Sequence, residues 1–275
     1  VLGESALDAS VSGGNNTAIG KNTLTDQTSG HSCTAVGSAA LEENTTTNNN
    51  TAIGYRALRK NTGGSEGTAI GSQALTEVTT GVQNVGIGFV AGGSITTGNS
   101  NIAIGSYSLD ATTTGSSNVA VGNSSLSANT TASNNTAIGN SALTANTSGT
   151  QNVAVGANAL DANTTASNNT AVGYNSLGVN TTGALNTAVG KDALAANTTA
   201  DNNTGIGHAA LIVNTTGSEN TALGRGALAS NTTADNNTAV GYFALLSNTT
   251  GANNVAVGAF ALDACTVGSS HTAVG

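Results

Sequence analysis

A glycine stands at every seventeenth position, from Gly3 through Gly20, Gly37 and Gly54 to Gly275, seventeen in all and without a slip of register. A fixed period of this length marks a chain built by stacking one small unit on the next. Each unit then touches only its neighbours, so the chain extends in one dimension instead of closing round a single pocket. The expected fold is all-β: a parallel β-roll or β-solenoid of sixteen 17-residue coils. It covers 1–275 as a single repeat array with no separate globular domain. The chain opens on Val1-Leu2-Gly3 and closes on Thr272-Ala273-Val274-Gly275, the same phase of the repeat, which predicts a segment of a longer fibre.

Numbered from its glycine as position 0, the repeat reads G-x-x-[AS]-L-x-x-N-T-T-[GA]-x-x-N-[TV]-A-[IV], seen intact from Gly173 to Val189. The position before each glycine is aliphatic, as in Ile19, Val36, Ile53 and Val274. Three before it stands Thr or, in five coils, Val85, Ile102, Val119, Val153 or Val255. Between them lies only Ala or Gly: Ala18, Ala35, Ala52, Ala69, Gly86, Ala103, Ala120, Ala137, Ala154, Ala171, Ala188, Gly205, Ala222, Ala239, Ala256 and Ala273. This alternation of period two predicts a short strand. The larger Thr/Val and Ile/Val face is expected to fill the interior of the coil. The Ala/Gly face, too small for that, is expected to be a dry seam against sister chains, since small residues let backbones approach closely.

Leu holds position 4 in fifteen of sixteen coils, with Gly92 the exception, and is expected to fill the interior opposite the strand. One Leu and one Ile or Val per coil is little apolar burial for seventeen ordered residues, so packing between chains, as a homotrimer, is expected to supply the rest. Asn recurs at position 13 (Asn16, Asn50, Asn84, Asn118, Asn254) and at position 7 (Asn44, Asn129, Asn163, Asn197, Asn248). Identical Asn side chains at the strand spacing of about 4.8 Å form amide ladders. Gly and Ala alternate at position 10 from Ala132 to Gly251, a 34-residue super-repeat. Stacked like charges repel, which fits a chain with only 7% charged residues.

With N-[TV]-A-[IV]-G-x-x-[AS]-L assembled, the chain resembles two related groups of repeats. One is the head repeat of YadA-like trimeric autotransporter adhesins, whose strand is similar to Asn118-Val119-Ala120-Val121-Gly122. The other, closer in its N-T-T-G-x-x-N-T-A-V-G wording, is the repeat of phage tail fibres and bacterial surface fibres. The resemblance covers all sixteen coils and implies a trimeric parallel β-roll, extracellular, on a bacterial surface or virion, used for attachment. No coiled-coil neck, membrane anchor or chaperone domain is evident in the sequence.

Chemistry-bearing residues are few. His31, His208 and His271 fall at positions 11, 1 and 13, on different columns and without metal spacing. The G-x-G of Gly86-Ile87-Gly88 and Gly205-Ile206-Gly207 arises from the repeat and lacks the strand-to-helix setting of a phosphate loop. No catalytic, cofactor or metal site is therefore expected, and the chain reads as a non-enzyme. Cys33 and Cys265 lie some thirteen coils apart, too far to bridge within one chain. The net charge of −8 gives no reason to expect a nucleic-acid partner, and no apolar run is long enough for a membrane span. Sequons such as those at Asn129, Asn163 and Asn202 read as stacked Asn and Thr rather than glycan acceptors, because glycans on successive coils would collide.

All seven aromatic residues, Tyr55, Phe89, Tyr107, Tyr174, Tyr242, Phe243 and Phe260, fall one or two positions after a repeat glycine, as do Lys21, Arg56, Lys191 and Arg225. Such a corner has interface composition and is the candidate edge for a ligand or for bundling with neighbouring fibres; the alternative is that it is simply the roomiest corner. The leading expectation is an extracellular structural and adhesive fibre segment. Its partners would be further copies of itself and a host-surface glycan or protein receptor. Two rivals are an ice-binding β-solenoid and a monomeric solenoid polymerising end to end. Against the first stands the adjacency of the Thr-Thr pair, whose side chains point to opposite faces.

Overall fold

In the computed structural model, which describes residues 2–9 and 11–275, each repeat contributes one three-residue strand just before its glycine. Val1, the first residue of the repeat array read over 1–275, lies outside the described residues. The chain divides into two compact units, Val1–Asn135 and Thr136–Gly275. The first carries strands β1 (Thr17–Ile19) to β7 (Val119–Val121), the second β8 (Thr136–Ile138) to β16 (Thr272–Val274). Within each unit consecutive strands pair in parallel with a register of 17, Thr17 opposite Thr34 in the first and Thr170 opposite Thr187 in the second. The β-solenoid expected from the repeat is thus present in both units, and no helix occurs among the described residues.

The repeat glycine is required twice over. At Gly173 φ is +135°, a conformation open essentially to glycine alone. A Cβ there would lie 2.5 Å from the carbonyl oxygen of Gly190 in the next coil. The chain turns off the strand where the coil above sits directly on its backbone, and no side chain fits between.

The interior is the reverse of the expected one. The alanine at the centre of each strand points inward and is fully buried in its own chain, as at Ala52, Ala171 and Ala239, while the flanking Thr and Ile/Val point outward. Ile53 keeps 40% of its surface exposed. The reason is the leucine across the coil. A Cβ on Gly205 would lie 3.3 Å from Leu194 Cγ, so the side chain opposite must be small for the Leu to fit. The column Ala18 to Ala256, with Gly86 and Gly205, therefore offers no surface to a sister chain. Ala273, in the last strand, is half-buried on the same inward side. Smallness reflects the partner inside the coil, and the seam assigned to these residues is corrected accordingly.

The leucines are buried as expected, but on an unexpected backbone: Leu160 and Leu194 both have φ of +52°. Each left-handed, non-glycine residue costs on the order of 1 kcal/mol or more. The cost is met because this geometry turns the amide along the stack: Leu160 N–H donates to Ser176 O at 3.1 Å, one coil on. Position 3 is buried as well and must be small. Where it is Ser, the hydroxyl donates to the repeat glycine's carbonyl, as in Ser176 to Gly173 at 3.0 Å.

The two Asn columns complete the core. At position 13, Asn186 donates through Nδ2 to Ala200 O (2.8 Å) and accepts the Asn203 backbone N–H on Oδ1 (2.9 Å). At position 7, Asn197 donates to its own coil's Ala200 O (3.1 Å) and to Asn180 Oδ1 (2.9 Å), and its Oδ1 accepts from Asn214 (3.0 Å). These amides are fully buried and paired along the stack. The super-repeat at position 10 also has a structural counterpart. In the Gly149, Gly183 and Gly217 coils two amides converge on one carbonyl, as Thr181 and Thr182 N–H do on Thr198 O (2.9 and 3.3 Å). In an Ala coil the first alone does so, Thr164 on Thr181 O (3.1 Å).

The exceptional Gly92 fits the same scheme. It keeps the left-handed turn (φ +61°), and a Cβ there would lie 3.0 Å from Ile95 Cδ1. Ile95, standing where Asn normally does, fills the space the missing leucine leaves. Thr112 then restarts the ladder by accepting from Asn129 Nδ2 at 3.0 Å.

Gly173→Ala is expected to destabilise the second unit by about 3 kcal/mol or more. Gly14→Ala, with nothing within 4 Å of the added carbon, should be near neutral; calorimetric unfolding of both variants checks the contrast. Asn180→Ala, which strips partners from Asn163 Oδ1 and Gly183 O, is expected to cost about 2–4 kcal/mol. Cys265 interrupts the position-7 column and leaves the buried Asn248 Oδ1 without a partner. Cys265→Asn should therefore raise the melting temperature.

Candidate functional site

Since leucine, alanine and asparagine fill the interior, chemistry can be displayed only on the outer positions of the coil. Among the described residues no ligand-sized cleft is present, and no cluster of three or more His, Cys, Asp or Glu is placed to hold a metal. No helix of the described residues is long and apolar enough to cross a membrane.

The corner after the repeat glycine carries the aromatic edge, and the structure gathers its members into three groups. In the first unit the Arg56 guanidinium lies 4.9 Å from the Tyr55 ring centroid. Also in the first unit, Phe89 and Tyr107, on adjacent coils, meet edge-to-face at 5.3 Å. In the second unit Tyr242, Phe243 and Phe260 form one cluster, with centroids 4.2 Å (Tyr242–Phe243), 5.2 Å (Tyr242–Phe260) and 6.0 Å (Phe243–Phe260) apart. Arg225, one coil before, places its guanidinium 5.7 Å from Tyr242 and 5.5 Å from Phe243. Tyr174 is exposed and stands apart from these groups. The sequence singled out the rings and Arg225 but not Gly226. Its left-handed backbone (φ +65°) and lack of a side chain make room for the Phe243 ring lying across it. Only the one-coil offset between the two residues hinted at that fit.

A second outward surface is the strand face itself. Because alanine points in, each strand presents Thr or a β-branched residue beside Ile, Val or Leu, repeated in register through each unit. Ranks repeat along the stack at about 4.8 Å, and the two columns lie roughly 6.6 Å apart along the strand.

Polar surface positions follow the stacking rule as well. At position 11 a side-chain acceptor takes the backbone N–H of the coil before it: Asp201 Oδ1 from Ala184 (2.6 Å), Asp235 Oδ1 from Ser218 (2.7 Å), His31 Nδ1 from Gly14 (2.9 Å). His31 is thus a structural acceptor. Opposite charges meet along the stack, as Lys21 does Glu4 at 2.9 Å and Lys60 does Glu77 at 2.5 Å. The sequons at Asn129 and Asn163 place their acceptor amides in the buried ladder, whereas Asn202 is exposed. Both cysteines are free thiols; Cys33 is buried, which pushes its pKa up.

Asp110 and Asp161 have carboxyl groups held above the usual range by partial burial, and Asp110 Oδ1 has no hydrogen-bond partner. A carboxyl with a raised folded-state pKa favours folding in its protonated form. Its contribution is present at acid pH and is lost as pH rises through the raised value. Asp110→Asn and Asp161→Asn should therefore raise the melting temperature at neutral pH and flatten the gain seen on mild acidification, as thermal melts between pH 3 and 7 would register.

In comparison with known proteins, no protein-family model matches the chain, and none of the curated proteins is significantly similar to it in sequence.

Proposed function

We propose that this chain is a structural and attachment segment of an extracellular fibre, of the kind found in surface filaments, adhesins or phage tail fibres. It would display a repeated surface on a self-closed β-solenoid and bind through many weak contacts along its aromatic edge. The observation that carries this reading is the division of labour within the coil. Interior positions are committed to stacking, and every aromatic residue is confined to one outer corner, where Tyr55, Phe89, Tyr107, Tyr174, Tyr242 and Phe260 are each more than 40% exposed. Several exposed rings carried on one corner of the coil favour avidity over single-site affinity. The homotrimer loses its basis with the alanine seam, and the segment is proposed to close its coils as a single chain.

The test is attachment of the purified segment to cell or glycan-coated surfaces under flow. Tyr174→Ser combined with Tyr242→Ser is expected to reduce retention several-fold with an unchanged melting temperature. Undiminished retention would discard the edge as the attachment surface.

The in-register outward ranks of Thr beside Ile or Val favour a second reading, an ice-binding β-solenoid. The adjacent Thr-Thr pair does not weigh against this face, since the relevant ranks are Thr-x-Ile and Thr-x-Val on the strand. Thermal hysteresis at micromolar protein would select this reading; under the fibre reading none is expected.

A further inference from the structure

We infer that Arg225, Tyr242, Phe243 and Phe260 form a binding platform for a carboxylated sugar, such as a sialic or uronic acid residue of a surface glycan. The inference rests on the reading of the aromatic edge as an attachment surface and names the ligand chemistry of one place on it.

Four observations converge. Tyr242 and Phe260 keep 41% and 52% of their surfaces exposed, although they lie within contact of one another. Their ring planes meet at 84°, so one ring offers a flat floor and the other a wall. A pyranose presents an apolar face of axial C–H groups of about the size of one aromatic ring, and such a corner receives it by stacking.

The cluster is also built rather than incidental. Phe243 lies across Gly226, where any side chain would occupy the volume of its ring. The ring pair Tyr242–Phe243, tilted by 41° at 4.2 Å, is thereby fixed from below.

Charge selects among sugars. Arg225 forms no ion pair among the described residues. Its guanidinium is held beside the two rings with its fork free to receive a carboxylate in two parallel hydrogen bonds. Of the other five cations, Lys21, Arg59, Lys60 and Lys191 each lie against a carboxylate, and Arg56, also without an ion pair among the described residues, sits beside the single ring of Tyr55 rather than a cluster. A cation left unpaired on a chain of net charge −8 is a placed group.

Size selects sugar over protein. Two half-exposed rings and the more buried Phe243 present roughly 250 Å² of apolar surface at most, well short of the roughly 800 Å² that each partner of a stable protein complex buries.

The experiment is a titration of the full chain, followed by NMR of its Tyr, Phe and Arg side chains, with sialyllactose and with lactose, which lacks the carboxylated residue. Sialyllactose is expected to shift the resonances of Tyr242, Phe260 and Arg225, and lactose to bind at least about tenfold more weakly. Arg225→Gln should erase the difference between the two sugars, and Arg225→Lys should restore only part of it, because the ammonium cannot form the paired bonds. Phe260→Leu, which keeps an apolar side chain but removes the ring, should weaken sialyllactose about tenfold. Equal binding of the two sugars, shifts elsewhere on the chain, or preferential binding of an acidic peptide would overturn the assignment. Retention of the wild-type chain on surfaces, measured in parallel, separates the two claims. Attachment without a sialyllactose response removes the ligand assignment alone, and absence of both removes the attachment reading as well.

Discussion

Buried amide groups, stacked in two columns through most of the coils, are the interaction on which the structure depends. In fifteen of the sixteen coils a leucine is the large interior side chain, and much of the remaining cross-section is peptide. Buried peptide groups are costly unless paired. Asn at positions 7 and 13 supplies what the backbone lacks at the two corners, a donor for the position-10 carbonyl and an acceptor or donor for the neighbouring coil. The ladder extends the parallel hydrogen bonding of the strands around the rest of the coil, so every coil is tied to the next on several sides. Low-dielectric surroundings strengthen such a network when complete and penalise each gap. The gaps are instructive: Ile95 closes one with apolar volume, whereas Cys265 leaves an unpaired carbonyl behind it.

This core explains why the outside of the coil is free to vary. With Leu, Ala and Asn turned in, positions 1, 2, 5, 6, 11 and 12 bear little on closure and carry the chain's rings, charges and hydroxyls. They still obey the spacing of the stack. A residue meets the residue 17 further on, so Glu4 faces Lys21, Asn175 faces Asp192, and Tyr242 faces the coil of Phe260. Function on such a scaffold is written in pairs and triplets along a column rather than around a cavity, which is why the Arg225 cluster draws its members from three successive coils.

Much of this was legible from the residues. The period, the strand before each glycine, the buried leucine, the amide columns and the aromatic corner all follow from which residue types recur where. The direction of the strand did not. Ile and Val were expected inside on grounds of size, and Ala outside on grounds of smallness, but smallness is ambiguous: it marks a close neighbour without saying on which side. The missing fact was the left-handed backbone at position 4, which swings each leucine under the strand and takes up the interior opposite alanine. Leucine rarely adopts that conformation, so residue type gave no sign of it. Phe243 over Gly226 was hidden for a related reason, because a glycine outside the repeat's fixed positions looks like mere variation until the ring above it is seen.

The central claim is that a lone chain closes its own core around paired asparagines. Side-chain amide hydrogen exchange, measured by NMR on dilute protein shown to be monomeric by sedimentation, tests it most directly. Slow exchange of the Nδ2 protons of Asn180, Asn197 and Asn214, alongside fast exchange at exposed Asn202, is the result this account requires. Ladder amides that exchange as freely as Asn202, or that gain protection only when chains associate, would contradict it.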